Sequence, residues 1–131
     1  MAAKTDYAEK AVLDWILLGA TPTRPTALFL ALHTADPGET AATGELGAGI
    51  GYARISVTFA AGTSGAGTAA SSNAQLYTAS GAGFGAVTHA SLWDAVTAGN
   101  ALYKGALTAS KTVAAGDQLN FAAGAIVVTE A

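Results

Sequence analysis

The sequence predicts a mainly β domain, an antiparallel β-sandwich or small jelly-roll-like barrel of about six to eight strands, preceded by one α-helix. Three observations predict it. After Pro25 the apolar residues fall in short runs or in strict alternation, not at helical spacing. Short Gly-bearing connections separate these runs, which favours antiparallel neighbours. Ahead of Pro22 the pattern instead has a helical period.

The helix is expected over 5–18. Thr5 can cap it, and Asp6 and Glu9 suit its positive N-terminal end. Tyr7, Ala11, Trp15 and Leu18 share one stripe, which Ala8, Val12 and Ile16 widen. Gly19 is a stop, and Pro22 and Pro25 prevent continuation. Trp15 is expected to pack on the protein's own sheet, the alternative being an anchor for a neighbouring subunit.

The β-domain spans 26–131. Ala27–Thr34 is an apolar run bounded by Pro25 and Asp36-Pro37. A polar loop near 35–51 follows, carrying Asp36, Glu39 and Glu45. Tyr52–Phe59 alternates, which predicts a half-buried strand with Tyr52, Arg54, Ser56 and Thr58 on one face and Ala53, Ile55, Val57 and Phe59 on the other. The stretch 60–73 is rich in small residues and is expected to be a second mobile loop or a hairpin. Gln75–Thr78 reads as a short strand. Gly85–Ala95 and Asn100–Leu107 read as a hairpin turning at Thr97–Gly99, with a brief pairing at Lys111–Val113. Leu119–Phe121 and Ala125–Thr129 close the domain. One domain of 131 residues is expected.

Composition narrows the function. The net charge is −3, and no stretch is basic: from Pro25 onward Arg54, Lys104 and Lys111 stand against six acids. A nucleic-acid partner is therefore not expected. The apolar run Ala11–Ala20 is broken by Asp14 and is too short to span a bilayer, and there is no cationic amphipathic segment, so no membrane partner is expected either. The N-terminus lacks a signal-peptide layout, which implies synthesis in the cytoplasm. The chain has no cysteine, which excludes disulfides and thiolate metal sites. Charged residues make up only 11% of the chain, against about 25% in an ordinary soluble domain. A surface so poor in charge suits lasting contact with other subunits, although a coding bias toward Ala and Gly produces the same composition.

Catalytic patterns are weak. His33 and His89 sit inside strand patterns, where the expected role is structural, and a metal site would require the fold to unite them with a carboxylate. The nucleophile elbow and the phosphate-binding glycine patterns are missing; Gly47–Gly51 and Gly81–Gly85 resemble phosphate loops only in composition. Asp36, Glu39 and Glu45 lack the spacing of a calcium loop. Tyr52, Tyr77, Trp93 and Tyr103 could form a sugar platform but are expected in the core. Asp94 and Asp117 are the β-domain acids that a glycan hydrolase would need to pair. No catalytic residue, cofactor or metal ligand is expected, and the chain is expected not to be an enzyme.

Leu30–Thr40, Gly44-Glu45-Leu46, Gly51–Arg54, Val87–Ala95, Gly105–Val113, Ala115-Gly116-Asp117 and Phe121–Gly124, in this order and spacing, resemble a group of small tailed-phage structural proteins whose members often carry tail-fibre or minor-tail labels. The 60–80 region is richer in glycine than the usual pattern of that group. The resemblance implies a virion component. The compact β-domain without repeats, carrying a helical arm, leads us to expect a capsid decoration or cement protein on the head surface. Its partner would be the major capsid protein, and the alternative is a tail-associated or receptor-binding component that contacts tail proteins. A homo-oligomer, trimer or dimer, is expected. The residues expected at a protein interface are Tyr7, Trp15, Asp36, Glu39, Glu45, Tyr52 and Arg54.

Overall fold

The helix forms where its caps place it. In the computed structural model, which describes residues 3–62 and 67–129, α1 runs Asp6–Leu18. The Thr5 hydroxyl accepts from the Ala8 amide, and Gly19 ends the helix in the left-handed conformation at φ 70°, its N–H returning to the Asp14 carbonyl. That conformation favours glycine, which is why the helix stops there.

Nine strands are present among the described residues: β1 (Ala3–Lys4), β2 (Leu28–His33), β3 (Ile55–Val57), β4 (Thr68–Ala70), β5 (Gln75–Thr78), β6 (Gly85–Trp93), β7 (Ala101–Val113), β8 (Gln118–Phe121) and β9 (Val127–Thr129). The count exceeds the six to eight expected because β1 and β4 are too short to leave a pattern in the sequence. β4 lies in the stretch 60–73 that was expected to be a mobile loop or a hairpin, and Phe59 bridges Ser71 antiparallel across it; residues 63–66 of that stretch lie outside the described residues. β7 is longer than expected. Lys111–Val113 continues it, pairing with Gly85–Val87 across a register shift between Val87 and His89.

All pairings are antiparallel. A five-stranded sheet has the order β1-β7-β6-β2-β3, and β4-β9 and β5-β8 form two ribbons. The ribbons supply Tyr77, Leu119 and Val128 to the same core as Leu30 and Leu32 of β2 and Val87, Ala90 and Leu92 of β6. The result is a layered, sandwich-like arrangement with open sheet edges at β1 and β3, not a closed barrel. Burying these side chains contributes about 1.5–3 kcal/mol for each large aliphatic or aromatic residue.

The later halves of β2 and β6 are buried on both faces. On β2, Leu30 and Leu32 point into the main core, while Ala31 turns the other way into a small cluster with Ala41, Trp93 and Ala101. The loop 35–51 folds over this second face. It is stitched down by the Leu46 amide donating to the Leu32 carbonyl and the Thr34 amide donating to the Gly44 carbonyl. Gly83, at φ 77°, marks a close approach: a Cβ there would lie 2.8 Å from Ala115 N and Val113 O. None of the described helices is long and apolar enough to cross a membrane.

Candidate functional site

The expected interface residues separate into three settings: a projecting helix, a loop tied to β7, and a buried polar network.

Helix α1 is fastened at its base alone. β1 pairs with β7 in the register Ala3↔Lys104 and Lys4↔Tyr103. Thr5, 1% exposed, donates its amide to the Leu102 carbonyl and its hydroxyl to the Ala101 carbonyl, and the Asp6 amide donates to the Glu39 carbonyl. Ala8 is the helix residue that becomes buried. Beyond it the apolar stripe leaves the body. Tyr7 and Trp15 are 44% and 58% exposed, and exposure rises to 77% at Leu18. The expected packing of Trp15 on the protein's own sheet is thus overturned: β1 and Thr5 hold the helix base at β7, and the next turns run out over solvent. Leu13, Ile16 and Leu17, outside the expected interface set, are exposed as well. Their signal was present in the sequence, because five of the six residues from Leu13 to Leu18 are apolar around the whole circumference of the helix.

Asp36 and Glu39 sit on the exposed loop beside β7. Lys104 Nζ donates to Glu39 Oε1 at 2.8 Å and lies 3.9 Å from Asp36 Oδ1. The Gly38 amide donates to Asp36 Oδ1, and this bond lowers the Asp36 pKa; the Glu39 bond raises that of Lys104.

Glu45, Tyr52 and Arg54 belong to the network beneath the loop. Arg54 grips Glu45 with both sides of its fork, Nε to Oε1 and Nη2 to Oε2, each at 2.8 Å. Its Nη1 donates to the Ala95 and Ala98 carbonyls at 3.0 and 2.8 Å, and its Cζ lies 3.9 Å from the centre of the Trp93 ring. Tyr52 Oη donates to Glu45 Oε1 at 2.7 Å and accepts from the Leu32 amide. Burial alone would raise the Glu45 pKa, but the hydrogen bonds from Arg54 and Tyr52 outweigh it and the net direction is down. Burial and the Glu45 carboxylate together push the Tyr52 hydroxyl well above its ordinary range. The alternation of 52–59 placed Arg54 on an exposed face with Ser56 and Thr58. Instead its side chain is buried, because the loop 35–51 and Trp93 cover that side of the sheet.

The network continues through His33, which is fully buried. Its Nδ1 lies 2.7 Å from the Thr43 carbonyl, which can only accept, so Nδ1 carries the proton. Nε2 then accepts from Ser91 Oγ at 2.8 Å, and Ser91 Oγ accepts from Trp93 Nε1 at 2.7 Å. Burial lowers the His33 pKa. His33 and His89 are cross-strand partners, but both His33 nitrogens are already engaged. Trp93 and Tyr77 are buried, so Tyr52, Tyr77, Trp93 and Tyr103 do not form an exposed platform. Asp94 caps the β6–β7 turn by accepting from Asn100, and Asp117 accepts from the Ala114 amide.

A groove opens on the opposite, core-side face of the sheet. It holds about 390 Å³ and is lined by uncharged residues that include Leu28, Phe59, Thr68, Ala69, Tyr103 and Val128. Sequence reasoning did not find it, because its walls come from β2, β4, β7 and β9, which are far apart in the chain.

Among curated proteins no sequence matches the chain. Residues 3–129 match the family model described as podophage GP4 fiber I protein gp80. This match covers nearly every residue and agrees with the phage structural resemblance carried by the β2, β6 and β7 segments, so the chain belongs to the Gp80 family of podophage fiber I proteins, a family of phage virion structural proteins.

Proposed function

We propose that this chain is a non-catalytic structural subunit of a podophage tail fibre, held in the particle through the apolar end of α1. The family match over residues 3–129 supports the fibre placement. The exposure of Trp15, Ile16, Leu17 and Leu18 supports the mode of attachment, since a solvated helix end this apolar is stabilised by being covered. A tryptophan flanked by aliphatics is the kind of anchor that dominates protein interfaces.

The non-catalytic reading rests on how the chemical groups are spent. Glu45 is bound by Arg54 and Tyr52, Asp94 and Asp117 cap turns, and His33 is neutral with both nitrogens engaged. The reading involves no cofactor, and its partners are tail proteins and further copies of the chain, with no nucleic acid or membrane. Asp36 and Glu39 offer an acidic rim beside the helix base, whereas Glu45, Tyr52 and Arg54 serve the interface indirectly by fixing the loop. The capsid decoration role expected from the sequence is the second reading, because a compact β-domain with one docking arm would also suit a shell lattice.

Gold-labelled antibody fragments against the chain, imaged on intact particles, test the placement. Label on the tail fibres is expected. Label over the whole head would overturn the fibre reading in favour of decoration, and particles without label would overturn both.

A further inference from the structure

We infer that the apolar end of α1 from one copy fills the groove between the sheet layers of a second copy, a head-to-tail contact that repeats from copy to copy. The inference rests on the proposed role of α1 as a docking arm, and it names the partner.

Size supports it. Tyr7, Leu13, Trp15, Ile16, Leu17 and Leu18 are 44–77% exposed. At on the order of 200 Å² for a large side chain, they present roughly 700 Å² of apolar surface. One partner in a stable interface contributes about 800 Å². The groove holds about 390 Å³, and a cavity of about 150 Å³ already accepts a benzene ring. An indole and a neighbouring aliphatic side chain therefore fit.

Charge supports it as well. Among the described residues, no charged one lines the groove. On the helix Asp14 is paired with Lys10, and the last turn carries no basic residue. Neither surface bears a charge that docking would strand, so the contact incurs little of the desolvation cost that opposes burial of charged groups.

The two surfaces also open on different faces of the five-stranded sheet. The base of α1 lies on the side of Trp93 and Ala101, whereas the groove lies on the side of Leu28, Leu92 and Val128. Each copy thus offers a knob in one place and a hole in another. A contact of that kind is heterologous, and it closes into a ring or extends into a filament. Two helices packed symmetrically on one another would leave both grooves empty.

The test uses the full chain in solution, with mass measured by light scattering and sedimentation. Wild type is expected to assemble with rising concentration. The double variant Trp15→Asp with Leu17→Asp removes the knob at exposed positions. Thr68→Trp and, separately, Ala69→Arg fill the hole, with folding checked by circular dichroism. Each variant alone is expected to associate at least about tenfold more weakly. A mixture of a knob variant and a hole variant is expected to give 1:1 dimers and nothing larger, since one intact knob meets one intact hole. Because the chain has no cysteine of its own, Leu18→Cys mixed with Ala69→Cys provides a second readout, a disulfide-linked pair formed on mild oxidation. A wild type that stays monomeric at every soluble concentration would overturn the inference while leaving α1 free to dock on another fibre protein. Hole variants that fold and assemble like wild type, or a Leu18→Cys and Ala69→Cys mixture that does not cross-link, would also overturn it.

Discussion

Arg54 lies with its guanidinium 3.9 Å above the ring of Trp93, and this stack closes the second face of the sheet. The same guanidinium reaches Glu45 and the carbonyls of Ala95 and Ala98. One side chain therefore ties the loop 35–51, the β6–β7 turn and β6 together. Ala98 is held at φ 52°, a left-handed conformation that costs a non-glycine residue about 1–2 kcal/mol, and its carbonyl is one of the groups that Arg54 binds.

Replacing Arg54 tests this clamp. Arg54→Ala leaves Glu45 half-buried without its cationic partner and frees two carbonyls, so it is expected to cost about 3 kcal/mol. Arg54→Lys keeps the charge but loses the planar fork and the stack, and is expected to recover less than half of that loss. Urea unfolding followed by tryptophan fluorescence reads both values. An unchanged midpoint for Arg54→Ala would refute the clamp.

Acid is expected to weaken the fold in two stages. His33 has a lowered pKa in the folded state because burial disfavours its cation. Its stabilising effect is complete above the ordinary value of 6.5 and fades as pH falls through the lower folded value. Glu45 is also lowered, so its effect is complete above 4.5 and fades below that. Melting temperature should therefore decline from pH 7 toward pH 5, and again below pH 4.5. In His33→Gln the first decline should largely vanish; a wild-type profile flat from pH 7 to 5 would contradict the assignment.

Thr5 controls the arm. Its hydroxyl caps the helix and donates to the Ala101 carbonyl. Thr5→Ala should cost about 1–2 kcal/mol. The loss should be local: amide exchange should quicken over Asp6–Leu18 while the β-domain core keeps its protection. Equal acceleration in both regions would mean that the arm and the body unfold as one unit.

Ser71 ties the end of β4 to the segment that leads into β9. Its buried hydroxyl accepts from the Gly124 and Ile126 amides, and its own amide donates to the Ile126 carbonyl. Ser71→Ala strands the Ile126 amide and is expected to cost about 1–3 kcal/mol, measured as a shift in the chemical unfolding midpoint. A shift below the scatter of the measurement would mean that this hydroxyl does not hold β9 in place.

Gly83 gives a steric prediction. Gly83→Ala sets a methyl 2.8 Å from backbone atoms of Val113 and Ala115 at a positive φ, and should cost about 2 kcal/mol or more. Gly116 also has a positive φ but open space around it, so Gly116→Ala should cost less. Equal losses for the two variants would show that conformation rather than crowding decides.

The sequence by itself determined what depends on neighbours in the chain. Thr5 and Gly19 bound the helix because capping is local, and the runs at Leu28–His33 and Gly85–Trp93 read as strands because a buried strand needs no distant partner to declare its composition. Tertiary structure decided which faces are covered. Alternation placed Arg54 outward, but a second covering layer made that position interior. Periodicity gave α1 an apolar stripe, but the docking of β1 on β7 left that stripe in solvent. The groove exists only where strands distant in sequence meet. A hydrophobic pattern records that a side chain is to be buried; what buries it, the same chain or a neighbour, is set by long-range contacts that no local spacing encodes.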